Sequence, residues 1–319
     1  MRYAMYCLVA MLLAAGGDAA AQAFPTKPLR LLLTFSSGGQ ADVLARLVTD
    51  KMGHSLGQPI VVEPRPGAGG NIAMEAAAKS AKDGYTLVFG TPAVAINGTL
   101  YRDLSYDPLA DLVPISLAAW GPYALYVTAT LPLGSAADLI AYAKAHPGKL
   151  NYASVGVGSG THLAAVLFSL AAGVEMVHVP YKGIQQAAPD MATGQVHLTF
   201  NAIGPLGSFV ESGAIKLIAT SGPRRLAQYP DLPTLGETLP GFDVAGWYGF
   251  FAAAGTPRPI LERLNAEIVK AVRDPEVSAR IEKIGLQPSP QTLDEAALFV
   301  KREAEKWSRA VKASGATAE

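Results

Sequence analysis

Short apolar runs alternate along this chain with stretches whose apolar residues fall three and four apart. The run 29–35, with Leu29, Leu31, Leu32, Leu33 and Phe35, has the length of a buried strand rather than a helix. Ser36, Ser37, Gly38 and Gly39 follow. Leu44, Leu47, Val48, Met52 and Leu56 then recur at helical spacing. A strand, a small-residue loop and a helix are predicted. The pattern repeats with a strand at 59–63, a turn-rich stretch at 64–71 and a helix over 72–81. A third strand over 85–89 ends at Gly90, Thr91 and Pro92.

An apolar strand follows Pro108, reaches Ala119 and continues through 122–127. The alternation then restarts. A helix over 135–145 is stopped by His146, Pro147 and Gly148, and a strand follows at 150–154. A loop at 155–161 carries Gly156, Gly158, Ser159 and Gly160, and leads into a helix over 163–170. A strand at 175–179, a helix ended by Gly194 and strands at 195–201 and 215–220 complete this block. The remainder is mainly helical. Thr256 reads as an N-cap with Pro257 at the first helical position. Leu261, Leu264, Ile268 and Val272 form an apolar stripe, Asp274 and Pro275 open the next helix, and a long helix covers 292–312.

Alternating strands and helices predict an α/β fold whose sheets are mostly parallel and flanked by helices. The tail holds too few strands for a domain of its own, so it is assigned to the first. The expected layout is a leader at 1–23, a first domain from 24–122 and 246–319, and a second from 123–245. The chain would cross between domains near 121–123 and 245–248. Ligands bind such sheets beyond the carboxyl ends of the strands, which points to the small-residue loops and to a site between the domains.

Composition narrows the function. The chain has 319 residues, with 26 Lys+Arg balanced by 26 Asp+Glu, which argues against nucleic acid and against a polybasic membrane contact. Arg2, the apolar run 6–15 and Ala21-Gln22-Ala23 read as an export signal cleaved after Ala23. The single cysteine, Cys7, falls inside it, so the mature chain is expected to carry no disulfide, thiol nucleophile or thiolate-bound metal. A periplasmic protein without cofactor or metal is expected.

The first loop opens a helix, where unpaired N–H groups and the helix dipole favour an anion. Gly38 and Gly39 permit close approach, and Ser36 and Ser37 add hydroxyls. Alternatively, Ser37 or Asp42 simply caps the helix. Asp42 is read as ordering its own loop more than as touching a ligand. Gly69, Gly70 and Asn71 form a second small-residue helix start, readable as ligand contact or plain turn, and Thr91 ends the third strand. Ser154, Gly158, Ser159 and Thr161 form the matching anion loop of the second domain. His162 either reaches the ligand or packs at the helix start. Tyr181 either meets the ligand or belongs to the core. Gly183 and Asn201 also follow strands of that domain, and Trp247 and Tyr248 are expected to pack at the crossover.

Enzyme signatures are missing. Val157-Gly158-Ser159-Gly160-Thr161 is not G-x-S-x-G, no Walker A or H-E-x-x-H sequence occurs, and the five histidines lack ligand spacing. The stretch 67–72 lacks the last glycine of a dinucleotide fingerprint.

Several segments in order carry a family pattern. They are Phe24-Pro25-Thr26-Lys27-Pro28, Gly38-Gly39 with Asp42, and Arg65-Pro66-Gly67-Ala68-Gly69-Gly70-Asn71-Ile72. Asp83-Gly84-Tyr85-Thr86-Leu87, Pro147-Gly148-Lys149-Leu150-Asn151-Tyr152-Ala153-Ser154 and Gly158-Ser159 with His162-Leu163 continue it. His178-Val179-Pro180-Tyr181-Lys182-Gly183 and Ala254-Gly255-Thr256-Pro257 complete it. Across the mature chain this resembles the TctC/Bug family of periplasmic solute-binding proteins from tripartite tricarboxylate transporters. The resemblance implies a two-domain, type II "Venus flytrap" and no enzymatic activity. It implies a small organic acid as ligand: a di- or tricarboxylate, an acidic amino acid or an aromatic acid. Partners would be the large and small membrane permease subunits, and the receptor is expected to be a monomer. A sensor passing its signal to a kinase, or an exported α/β hydrolase, are the alternative readings. Ser36 stands where the family usually has proline, and Ser37 where alanine is common.

Overall fold

The computed structural model describes residues 24–35, 37–181 and 183–318. Ser36 and the expected leader with its Ala21-Gln22-Ala23 site lie outside the described residues. Strand β1 (Leu29–Leu33) buries four leucines and turns only Arg30 outward. Helix α1 (Gln40–Leu56) buries Leu44, Leu47, Val48, Met52 and Leu56 and stops at Gly57 in the left-handed conformation (φ 68°). Strand β2 (Ile60–Pro64) lies parallel to β1, and Arg30 reaches Glu63 on it with two hydrogen bonds of 2.7 and 2.8 Å. A 3-10 turn (Ala68–Gly70) leads into α2 (Asn71–Ala78). Strand β3 (Thr86–Gly90) lies parallel to β1 on its other side, and α3 (Ala93–Leu100) follows.

Strands β4 (Leu112–Pro122) and β5 (Ala124–Thr128) are separated by Tyr123 alone, yet they belong to different sheets. Then come α4 (Ala136–Ala145), β6 (Leu150–Ser154), α5 (Gly160–Ala172), β7 (Met176–Pro180), α6 (Ile184–Ala192), β8 (Leu198–Asn201), α7 (Gly207–Glu211) and β9 (Ile215–Thr220). The chain returns through β10 (Ala245–Ala253), α8 (Arg258–Arg273), α9 (Pro275–Lys283), β11 (Gln287–Pro288) and α10 (Leu293–Ser314).

The first sheet has the order β11-β4-β10-β3-β1-β2 and the second β7-β6-β8-β5-β9. Both are mixed. β1 is parallel to β2 and β3, and β6 to β7 and β8, whereas β10 and β11 in the first sheet and β5 in the second pair antiparallel to their neighbours. Strand–helix alternation reveals only the parallel pairs. The antiparallel strands include those by which the chain passes from one sheet to the other and back. Helix α5 begins at Gly160, three residues before the expected start. Thr256 is no cap: it donates its hydroxyl to Ala253 O (2.8 Å), and α8 starts at Arg258.

Three strands meet where the sheets join. Tyr123 N donates to Ser221 Oγ (2.9 Å) and Ser221 N to Tyr123 O (2.8 Å). Val244 N donates to Ser221 O (2.9 Å), and Ser221 Oγ donates to Val244 O. Helix α10 is held at its start by a reciprocal Thr292–Glu295 capping box. It packs on α3 and β4 beside the first sheet and on α5 beside the second. One apolar core consequently runs through both halves, joining Val88, Leu100 and Trp247 to Leu163, Phe168 and Phe200. A second core, around Leu31, Phe89, Leu264 and Ile268, fills the other face of the first sheet.

Candidate functional site

A cleft of about 690 Å³ opens where the two sheets face each other. Four helix starts converge on it: Gly39 and Gln40 at α1, Gly67, Gly69 and Gly70 before α2, Thr91 and Ala93 at α3, and Gly158 to Thr161 at α5. The first N–H groups of a helix have no partner within it, and the helix dipole is positive there. Among the described residues, none that lines the cleft is Asp, Glu, Lys, Arg or His. The remaining wall is mostly apolar or aromatic, with Ile96, Leu100, Tyr101, Tyr123, Trp247 and Tyr248 among it, and includes Thr34, Asn97 and Asn201. Among the described residues, the cleft thus offers backbone and hydroxyl donors to an anion but no cationic side chain.

The elements fix these donors in place. Asp42 Oδ2 accepts the Gly38 N–H (3.0 Å), while Oδ1 accepts Arg46 Nε (2.9 Å). The carboxylate thereby ties the first loop to the helix and pairs with Arg46, as its reading as an ordering residue anticipates. Gly39 is the N-cap and receives no side-chain cap. Gln40 is braced from two sides: its amide donates to Ile284 O (2.6 Å) and accepts the Tyr248 hydroxyl (3.2 Å). The second loop hangs on Asn97, whose Nδ2 donates to Gly69 O (3.1 Å) and Asn71 Oδ1 (2.9 Å). Tyr106 OH also donates to Asn71 Oδ1 (2.7 Å). Thr91 Oγ1 accepts the Ala93 N–H at 3.4 Å.

The loop of the second sheet is bonded largely to itself. Ser159 caps α5 by accepting the His162 N–H (3.2 Å) and donates its hydroxyl to Gly156 O (2.7 Å). Thr161 Oγ1 accepts the Val155 N–H (3.1 Å), and His162 Nδ1 accepts the Gly158 N–H (3.1 Å). Gly156 (φ 121°) and Gly158 (φ 74°) adopt conformations that other residues rarely reach. Opposite, Asn201 Oδ1 accepts the Ala202 N–H (2.9 Å), and its buried Nδ2 has no acceptor among the described residues.

Of the residues anticipated from sequence, Gly39, Gly69, Gly70, Thr91, Gly158, Ser159, Thr161 and Asn201 line the cleft. Ser37, Gly38, Asp42 and Asn71 do not line it; Ser37 and Gly38 are exposed, and Asp42 and Asn71 are buried. Ser154 is 0 % exposed and shares a hydrogen bond of 2.6 Å with His178 Nε2. His162 stacks on His178, ring centroids 4.0 Å apart. Tyr181 donates to Asp190 Oδ2 (2.6 Å), and Gly183 caps α6; neither lines the cleft. Gln40, Asn97, Tyr101 and Tyr123 line it without having been singled out. Asn97 and Tyr101 belong to α3 and the residue after it, a helix whose mixed small and apolar residues give little periodic signal. Burial pushes the Tyr248 hydroxyl up to about 12 and raises that of Tyr123 further, so both stay protonated donors.

The family model described as "Tripartite tricarboxylate transporter family receptor" matches residues 44–316. Protein BugT of Bordetella pertussis is 33% identical over 98% of either chain. Among solved structures, Rpa4515 of R. palustris, determined with adipate, is 35% identical with a TM-score of 0.79, covering 92% of this chain and 99% of its own. MatC of Rhodopseudomonas palustris, with bound malate, is 31% identical with a TM-score of 0.75, covering 90% of this chain and 100% of its own. The matching family is one of transporter receptors. With a two-sheet fold, a cleft rimmed by helix starts and a family match over residues 44–316, this chain belongs to the tripartite tricarboxylate transporter receptor family.

Proposed function

We propose that this protein is an exported receptor that captures a small carboxylate in the cleft between its sheets and hands it to a tripartite-type membrane permease. The observation that carries the reading is the convergence of helix starts from both sheets on a cleft lined by no charged side chain among the described residues. Relatives at about one-third identity hold adipate and malate. Micromolar binding needs about −8 kcal/mol. A hydrogen bond to a charged group contributes roughly 1.5–3 kcal/mol, so three or four backbone donors suffice. The ligand contacts in this reading come from Gly39, Gly69, Gly70, Thr91, Gly158, Ser159, Thr161 and Asn201, with Tyr123 as an added hydroxyl donor. Residues 24–122 with 246–319 form one body and 123–245 the other. The ligand bridges them, and its affinity for the closed form shifts the equilibrium toward closure.

Gly39 provides the test. Its backbone is extended (φ −83°), and a Cβ there meets no protein atom within 4 Å. A larger side chain therefore leaves the fold unstrained and occupies ligand space. Native mass spectrometry of the protein from its own periplasm should find one organic acid per chain, and Gly39→Val should lose it while melting within a few degrees of wild type. Full occupancy of the variant would remove the first loop from the site, and a neutral or cationic ligand would overturn the reading.

A further inference from the structure

The cleft-lining loop of the second sheet is held from behind by two histidines that the ligand reading leaves without a task. His162, on the first turn of α5, is 5 % exposed and does not line the ligand cleft. Its Nδ1 accepts the Gly158 N–H at 3.1 Å, so that nitrogen carries a lone pair and the ring proton sits on Nε2. The ring stacks on His178 (4.0 Å, 20°), which in turn stacks on Tyr152 (5.0 Å, 23°). His178 Nε2 shares its hydrogen bond with Ser154 Oγ, and Ser154 Oγ also bonds the backbone of Gly156. The two imidazoles therefore fix the loop at Gly156 and Gly158. At Gly158 the loop also meets the first sheet's half of the molecule, because a side chain there would collide with Leu100 of α3.

We propose that His162, supported by His178, is a positioning residue: its unprotonated Nδ1 holds the Gly158 amide, sets the loop that receives the ligand, and makes affinity depend on that nitrogen staying unprotonated. This rests on the reading that the loop holds the ligand. A proton on Nδ1 turns an acceptor into a second donor facing the Gly158 N–H, which breaks the hydrogen bond. It also places a charge 4.0 Å from the stacked ring of His178. Among the described residues, the groups facing His162 supply no buried compensating anion. Tyr152 approaches from β6 and His178 from β7. The end of α10 contributes Ala313, Ser314 and Ala316 to the same hollow, and the one carboxylate lining it, Glu175, is exposed. Burial, with His178 beside it, pushes the imidazole down to about 4, in keeping with that surrounding.

The test compares wild type with His162→Asn, whose amide oxygen replaces Nδ1 as an acceptor that does not titrate, and with His162→Leu, which has no acceptor. Adipate affinity is measured by calorimetry between pH 7 and pH 4. At pH 7, His162→Leu should bind about tenfold more weakly than wild type, the cost of an orphaned donor in the loop, and His162→Asn should recover most of that loss. Toward pH 4, where about half of the His162 imidazoles carry a second proton, wild type should lose up to about twofold more affinity than His162→Asn. Both proteins meet the same protonation of adipate, so the difference belongs to His162. Parallel profiles, or a His162→Leu variant that binds like wild type, would overturn the proposal. Two readouts need no ligand and separate this claim from the receptor reading. Nitrogen NMR should show His162 with its proton on Nε2, and the Gly158 amide should exchange with solvent faster in His162→Leu. A proton on Nδ1 at pH 7, or unchanged exchange, would sink the positioning role even in a protein that binds no adipate.

Discussion

At the scale of single residues, what a glycine or histidine does depends on what comes close to it. Gly39 faces open space, whereas Gly158 faces Leu100 and Gly160 faces the Tyr123 hydroxyl. All three read in the sequence as turn residues at a helix start. Which of them tolerates a side chain was not legible, because Leu100 and Tyr123 arrive from distant parts of the chain. Asp42 was legible as an ordering residue, since it lies one helical turn from the loop it binds. His162 makes a separate prediction about stability. Its folded imidazole resists protonation down to about 4, against an ordinary value of 6.5. Between those values only the unfolded chain takes up the proton. The stabilisation is therefore complete above pH 6.5 and is lost as pH falls toward 4. The loss is on the order of 3 kcal/mol. Urea unfolding of wild type and His162→Asn across this range should show wild type losing more stability. Equal losses would mean that the imidazole titrates freely in the folded state.

At the scale of elements, α10 does more than close the chain. Its buried Glu303 accepts hydrogen bonds from Trp247 Nε1 on β10 (2.9 Å) and from Trp307 Nε1 on its own helix (2.8 Å), and pairs with Lys306 at 2.5 Å. Lys306 also donates to Asp243 O (3.3 Å), in the segment that returns between the sheets. One carboxylate thus fastens the terminal helix to a cleft-lining tryptophan. Glu303→Ala leaves two indole N–H groups without their acceptor and an ammonium without its partner, and should cost about 3 kcal/mol in urea unfolding. A loss under about 1 kcal/mol would show that solvent replaces the carboxylate at little cost. The helix itself was legible from its length. Its task was not, since Trp247 and Glu303 are joined only by the fold. The mixed direction of the sheets was hidden for a similar reason. A strand's apolar run records that it is buried, not which way its neighbour runs.

At the scale of the whole molecule, the two sheets share a continuous core along α10 and meet at Ser221, whose backbone and hydroxyl bond to both Tyr123 and Val244. In the proposed reading, closure turns about these strands without unpacking that core, which calls for a small rotation. Saturating adipate should therefore reduce the radius of gyration in solution scattering. Ser221→Ala, which touches no ligand, should change the size of the unliganded protein toward or away from that closed value. Superimposable curves with and without bound ligand would rule out closure as the response to binding. The two-lobed plan could be read from the sequence because strand–helix alternation stops and restarts near Tyr123. The joint at Ser221 could not, since a single serine between apolar strands carries no periodic signal.

The central claim is that helix starts, not cationic side chains, hold a carboxylate in this cleft. Calorimetric titration with adipate and with its uncharged diamide, which keeps the length and the apolar spacer, tests it most directly. The account predicts one adipate per chain and a diamide at least about a hundredfold weaker, the loss of two charge-assisted hydrogen bonds. Equal affinity for the two compounds would contradict it.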